Sequence, residues 1–252
     1  MTTRTLAGRR ALVVGGTTGI GRGIADAWAA AGADVVVCGR SRPTGPGASA
    51  LRWERLDLTD TDGAGAMLGR IAGARLDLAC FSAVSYGDRR AGFDDVAVGE
   101  WRTQLDINVH GLWLTLKAAL PRLRAAGPGL FLGVSSEVVY NAGPGRSGYT
   151  ASKAAAKALL DSVAQEEDEN RVRIVQVLPA GMVDSPGIRR RRPLDFDYSS
   201  YMVPADFARV AVDLAVTAGS GHHGDSLVVD SGGDWWSVTE RLPVSQSRPV
   251  RT

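Results

Sequence analysis

Residues 10–32 place the tightest constraint on what this chain can become. An apolar run, Arg10-Ala-Leu-Val-Val14, breaks into Gly15-Gly-Thr-Thr-Gly-Ile-Gly21, after which Ile24, Ala25, Trp28 and Ala29 recur at helical spacing until Gly32. That order reads as strand, tight turn and helix. Glycines at 15, 19 and 21, with Thr17, Thr18 and Ile20 between them, let backbone amides approach a pyrophosphate at a helix N-terminus, where the dipole favours negative charge. A purely structural turn would show the same spacing, so the rest of the chain decides between the two.

The strand and helix pattern then repeats. A second strand, Ala33-Asp-Val-Val-Val-Cys-Gly39, runs into Arg40-Ser41-Arg42. Dinucleotide folds carry an acid near this point for a ribose 2′-hydroxyl, and an arginine for a 2′-phosphate. Here Gly39 stands in the acid's place and Arg40 follows, so Arg40 and Ser41 favour NADP (NADPH) over NAD; solvated loop arginines are the plain alternative. Pro43-Thr-Gly-Pro-Gly47 shortens the first crossover. A third strand over 51–58 ends at Asp57-Leu58, placed to contact an adenine, with capping of the next helix as the other role for Asp57. A helix over 62–72 and a strand over 76–83, ending in Ser82-Ala83, follow. Apolar spacing from Trp101 through Leu105, Val109, Leu112, Leu116 and Leu120 to Leu123 predicts two helices or one bent one across 96–126. Asn108 interrupts that face and marks a bend, a held water or a packed polar residue. Strands over 129–134, 171–178 and 227–230, with helices over 149–167 and 204–218, complete a doubly wound parallel sheet. The expected architecture is Rossmann-like, three-layer α/β/α, in a single domain over 1–252 with its core at about 8–236.

The chemistry gathers near residue 149. On a helix, Tyr149 and Lys153 stack on one face, so an ammonium beside the phenol favours phenolate and brings it towards working pH as a proton donor or acceptor. Ser136 follows a buried strand and so sits at the carboxyl edge of the sheet, able to orient a carbonyl. Tyr140, four residues on, is a substrate-pocket candidate, with ordinary loop packing as the alternative.

Composition removes several partner classes. With 29 basic and 27 acidic residues in 252 and a formal charge of +2, no field calls for nucleic acid. No apolar run approaches a membrane span, and residues 1–10 lack a signal-peptide core, which predicts a cytoplasmic protein without a membrane partner. Cys38 and Cys80 lie in apolar strands and read as core residues. His222 and His223 diverge as neighbours, and with His110 they form no metal ligand set.

Taken together, the glycine turn, Asn108, Ser136, Tyr149 and Lys153 in this order resemble the short-chain dehydrogenase/reductase family in its single-domain, ketoreductase form, from Ala11 to about Trp236. By that resemblance Asn108, Ser136, Tyr149 and Lys153 form a catalytic tetrad. Tyr149 is the acid/base, Lys153 lowers its pKa and holds the nicotinamide ribose, Ser136 binds the substrate oxygen, and Asn108 positions a proton-relaying water. Val183, after Pro179-Ala180-Gly181, would adjoin the nicotinamide amide, and Ser82 and Ala83 the cofactor ribose. The implied activity is NADPH-linked reduction of a ketone, or oxidation of a secondary alcohol, by a homodimer or homotetramer. Two other classes stay open: a dinucleotide-binding regulator without chemistry, which a broken tetrad would signal, and a dehydratase or isomerase, which needs an additional acid or base in the pocket. The family's asparagine-rich segment after the fourth strand is here Phe81-Ser82-Ala83-Val84, and Val14 replaces a usual threonine.

Residues 184–203, with Arg189 to Arg192 and Phe196, Tyr198 and Tyr201, occupy the place of a substrate lid. The arginines either draw an acidic substrate or simply face water. Trp235 and Trp236 either floor the pocket or pack against a neighbouring subunit, and residues 239–252 form a polar tail.

Overall fold

In the computed structural model, which describes residues 5–243, the strands are β1 (Arg10–Val14), β2 (Asp34–Gly39), β3 (Arg52–Arg55), β4 (Leu78–Phe81), β5 (Gly129–Val134), β6 (Val172–Pro179), β7 (Ser226–Val229) and β8 (Trp235–Ser237). The helices are α1 (Gly19–Ala30), α2 (Thr61–Ala72), α3 (Val98–Leu105), α4 (Gly111–Ala126), α5 (Val138–Asn141), α6 (Ser147–Glu166), α7 (Pro186–Arg189) and α8 (Ala208–Thr217). Most of the expected tail, 244–252, lies outside the described residues.

One sheet holds all the strands in the order β3-β2-β1-β4-β5-β6-β7-β8. Every pairing is parallel except that of β7 with β8. Alternate residues of each strand point to opposite faces. Val13, Val35, Val37 and Leu132 meet Ile24 and Trp28 of α1 and Val210 and Leu214 of α8. Leu12, Val36 and Phe131 meet Leu68 of α2, Leu116 of α4 and Leu160 of α6. Both faces are therefore covered, as a parallel sheet requires. Strand order reverses between β1 and β4, which opens a crevice at the carboxyl ends of the strands.

The bend at Asn108 and the shortened first crossover are as the sequence implied, while the third strand and the end of the sheet differ. Residues 98–126 are α3 and α4 joined through a π turn, Asp106–His110, with Asn108 buried inside it. The third strand is only Arg52–Arg55, and a short turn at Ala48–Ala50 replaces a crossover helix. Trp235 and Trp236 form the antiparallel edge strand β8, because the turn at Ser231–Asp234 folds the chain back on β7.

Candidate active site

The glycine turn is shaped by backbone contact. Gly15 has φ +81°, and a Cβ there would lie 2.3 Å from the Ala83 amide nitrogen; a Cβ on Gly21 would lie 2.5 Å from the Gly15 carbonyl oxygen. Neither position has room for a side chain. Thr18 precedes α1 in an extended conformation without a side-chain cap, and the first turn of α1 carries no acid. Its leading amides are thus left for an anion, and the residues present fit a dinucleotide pyrophosphate.

A cleft of about 620 Å³ runs from this turn along the carboxyl edge of the sheet. On its nucleotide side lie Gly15, Thr17, Thr18, Gly19 and Ile20, facing Arg40, Asp57 and Leu58, with Ser82 and Ala83 between. Gly21 backs the turn, and Ser41 is exposed outside the lining. A Cβ on Gly39 would stand 2.8 Å from Thr17 Oγ1, so a side chain at that position would have to displace the Thr17 hydroxyl. Asp57 does not cap α2, since Asp60 accepts from the Gly63 amide at 3.0 Å. Asp57 instead accepts from the Thr59 hydroxyl at 2.7 Å and amide at 3.0 Å, contacts that hold its pKa below the ordinary carboxyl value.

At the other end stand Ser136, Tyr149, Lys153 and Val183. The Tyr149 ring is buried and packs at 5.2 Å from that of Tyr86. Burial raises the phenol well above its ordinary pKa; Tyr86 adds to the rise, and the neighbouring Ser136 hydroxyl opposes it. The expectation that Lys153 brings the phenol down is therefore not met. Lys153 Nζ donates to the Val134 carbonyl at 2.6 Å instead, and burial lowers the ammonium pKa to about 8, with Glu137 opposing. Ser136 Oγ donates to Glu137 Oε2 at 2.8 Å, and Arg146 pairs with the other oxygen of Glu137 at 3.3 Å.

Asn108 does not reach the cleft. Its amide nitrogen donates to the Ser85 carbonyl at 2.9 Å and Ser152 Oγ at 2.8 Å, and its oxygen accepts from the Ser85 amide at 2.7 Å. Ser152 Oγ donates in turn to the Tyr149 carbonyl at 2.8 Å, so the π turn fixes both the loop after β4 and the start of α6. A void of about 10 Å³ separates Asn108 from Lys153, the lower limit for one water.

Tyr140 does not line the cleft, because its hydroxyl is enclosed elsewhere without a partner. Trp235 packs edge-on to His222 at 5.2 Å and Trp236 donates to the Arg241 carbonyl at 3.0 Å, away from the cleft, so the pocket-floor role falls. His223 accepts from the Ile174 amide at 3.3 Å, a loop role, and among the described residues no cluster could hold a metal. Cys38 and Cys80 are buried and their thiols are raised by that burial, Cys38 to about 12. Tyr86, Glu137 and Arg146 are site residues that sequence reading missed. Glu137 was legible as the neighbour of Ser136, whereas nothing in sequence spacing connects Tyr86 to Tyr149.

This geometry belongs to a recognised class. Residues 9–193 match the family model described as short chain dehydrogenase, and the chain belongs to that family. It is 27% identical over 247 residues to the 2,5-dichloro-2,5-cyclohexadiene-1,4-diol dehydrogenase LinX of Sphingobium indicum, covering 92% of this chain and 98% of that one. It is 30% identical over 240 residues to the cis-4-hydroxycyclohexanecarboxylate dehydrogenase of Sinomonas cyclohexanicum, covering 89% and 96%. Among solved structures it resembles the Pseudomonas aeruginosa RhlG/NADP active-site complex, with a TM-score of 0.79 and 28% identity over 92% of this chain and 99% of the other. The chain is a short-chain dehydrogenase-family oxidoreductase that uses a nicotinamide cofactor. No helix among the described residues is long and apolar enough to cross a membrane.

Proposed function

We propose that this oxidoreductase is NADPH-linked and interconverts a ketone and a secondary alcohol, with Tyr149 as acid or base. The observation that carries the reading is the arrangement of Ser136, Tyr149 and Lys153 along a cleft whose far end is the open glycine turn. The bound cofactor supplies or accepts the hydride. Ser136 orients the carbonyl oxygen, and the Tyr149 phenol, kept neutral by burial, donates its proton to that oxygen. In the oxidative direction the phenolate takes the alcohol proton. Lys153 would hold the nicotinamide ribose, and the void beside Asn108 gives room for a water that passes protons to Lys153.

Arg40 at the nucleotide edge, with Gly39 in place of an acid, supports a 2′-phosphate and hence NADPH over NADH. The structural relative RhlG, whose active-site complex is with NADP, agrees. The relatives named for a cyclohexadiene diol and a hydroxycyclohexanecarboxylate support a ring-borne secondary alcohol. A ketone and alcohol panel followed by nicotinamide absorbance tests the proposal; it fails if no member turns over with NADPH or NADH. A homodimer or homotetramer goes with this reading through the exposed sides of α4 and α6, where Trp113 stands 45% exposed, and a sizing column tests it.

One observation favours a second reading. Glu137 puts a further carboxylate against Ser136 inside the cleft, the additional acid or base that a dehydratase or isomerase needs. Product analysis separates the two, since dehydration loses water without consuming cofactor.

A further inference from the structure

The four arginines of the lid do not share one role. Arg189 forms two hydrogen bonds to Asp184, both at 2.6 Å, and lies over the Tyr198 ring at 4.6 Å. Arg192 donates to the Tyr201 hydroxyl at 3.1 Å and lies over Phe196 at 5.3 Å. These two knit the lid to itself. Arg190 is exposed at the rim.

Arg191 is different. Arg190 and Arg192 line the same cleft, but Arg191 is half-buried there with no side-chain hydrogen bond among the described residues; its guanidinium lies 5.7 Å from the Tyr86 ring, and Tyr86 packs on Tyr149. Among the described residues no carboxylate lies within ion-pair distance of it, and its Nε is buried without a hydrogen-bond partner. Burial and the like charges of Arg192 and Arg90 all disfavour its cation, and they outweigh the opposing fields of Tyr86 and Glu100. Arg90 reaches the cleft from the loop after β4, so two separate segments bring cations to the same end. Asp88, on that loop, and Glu137, already paired with Arg146, are the acids lining this end. Like charges held together in a partly desolvated wall cost free energy that an anion between them removes, and a guanidinium with unused donors suits a carboxylate.

We propose that Arg191, assisted by Arg90, is the anchor for a carboxylate on the substrate, and that the natural substrate is a keto acid or hydroxy acid whose carboxylate is several bonds from the reacting carbon. The guanidinium and the Tyr149 ring each pack on Tyr86, at 5.7 and 5.2 Å, so the anchored carboxylate and the reacting carbonyl sit at separate points of the cleft. This rests on the hydride-transfer reading for its reacting end, but the anion site has a readout of its own.

The test uses levulinate and its longer homologues, each against its methyl ester, with wild type, Arg191→Gln and Arg191→Lys. Calorimetric binding of each acid to the enzyme–NADPH complex is measured beside turnover. Wild type should prefer the longer acids to their esters in kcat/KM, and Arg191→Gln should weaken acid binding and lower the acid-over-ester preference in kcat/KM by about tenfold or more. Arg191→Lys should recover part of the loss, because charge remains without the fork. Equal effects on acid and ester, or acid binding that Arg191→Gln leaves unchanged, would overturn the anion site whatever the turnover. Acid binding that depends on Arg191 without oxidation of NADPH would keep the site and remove the hydride-transfer reading.

Discussion

Lys153 Nζ donates to the carbonyl of Val134, at 2.6 Å, and in doing so ties the middle of the sheet to the helix that carries Tyr149. Val134 is the last residue of β5 and Ser136 lies two residues beyond it, so one lysine fixes the spacing between the strand that delivers the serine and the helix that delivers the phenol. The ammonium and the phenol share a helix face without bonding one another.

That position has a pH consequence. Burial lowers the Lys153 pKa from 10.5 to about 8, so between those values the unfolded chain holds a proton that the folded chain has released. Stability contributed through this group is lowest below about pH 8 and rises with pH through the window. Wild type should therefore gain stability relative to Lys153→Met as pH is raised from 8 towards 10.5, read as the difference in Tm between the two proteins across that range. A constant difference would mean that the lysine is not desolvated.

Arg40 lines the nucleotide edge next to Gly39, with Asp57 nearby. Arg40→Ala should raise the Kd for NADPH about tenfold, the scale of one charge-assisted contact, and leave that for NADH within about twofold. Fluorescence titration of both cofactors measures this, and equal weakening would make Arg40 a bystander.

Crowding at the glycine turn makes a sterically defined case. In Gly15→Ala the new Cβ meets the Ala83 amide at 2.3 Å with φ at +81°. The expected cost is about 2 kcal/mol or more in stability, with loss of NADPH binding in whatever remains folded. Thermal unfolding with and without NADPH checks it, since the variant should lose the cofactor-induced rise in Tm.

Asp77 is the buried ionic point at the opposite edge of the sheet. Its side chain accepts from the Arg10 amide at 2.9 Å and Arg75 at 2.7 Å, with Arg9 at 3.3 Å. Burial pushes its pKa up, but these donors outweigh burial and leave it below the ordinary value. The group therefore stabilises the fold above the unfolded carboxyl pKa, and that contribution disappears as pH falls through the folded value. Asp77→Asn should cost about 2–4 kcal/mol at neutral pH and progressively less in acid. Denaturant unfolding at a series of pH values would show the two proteins converging, and parallel curves would argue against the assignment.

Much of this molecule was legible because its local rules agree with its global ones. Short apolar runs such as Gly129–Val134, bounded by turn signals, read as buried strands, and the glycine turn reads as a join of strand to helix. The departures have physical causes. The π turn at Asn108 follows from the asparagine satisfying both backbone groups of Ser85, a contact 23 residues away that no periodicity encodes. The strand at Trp235 and Trp236 went unread because three residues have too little alternation to show. The rise of the Tyr149 pKa was missed for a related reason. Helical spacing places Lys153 beside it but says nothing of the Tyr86 ring or the Val134 carbonyl, which decide the desolvation of one group and the direction of the other. The lid arginines looked alike in sequence, and only their partners separate Arg191 from Arg189 and Arg192.

The most direct test of hydride transfer with Tyr149 as proton donor is isotopic. NADPH carrying deuterium at the transferable position is incubated with a ketone panel and wild type or Tyr149→Phe, and the products are read by mass spectrometry. Wild type should place one deuterium on the carbinol carbon. Tyr149→Phe should bind NADPH with little change while transferring deuterium about a hundred- to ten-thousand-fold more slowly. Deuterium transfer at the wild-type rate by Tyr149→Phe, or no transfer by wild type to any ketone that it binds beside NADPH, would contradict it.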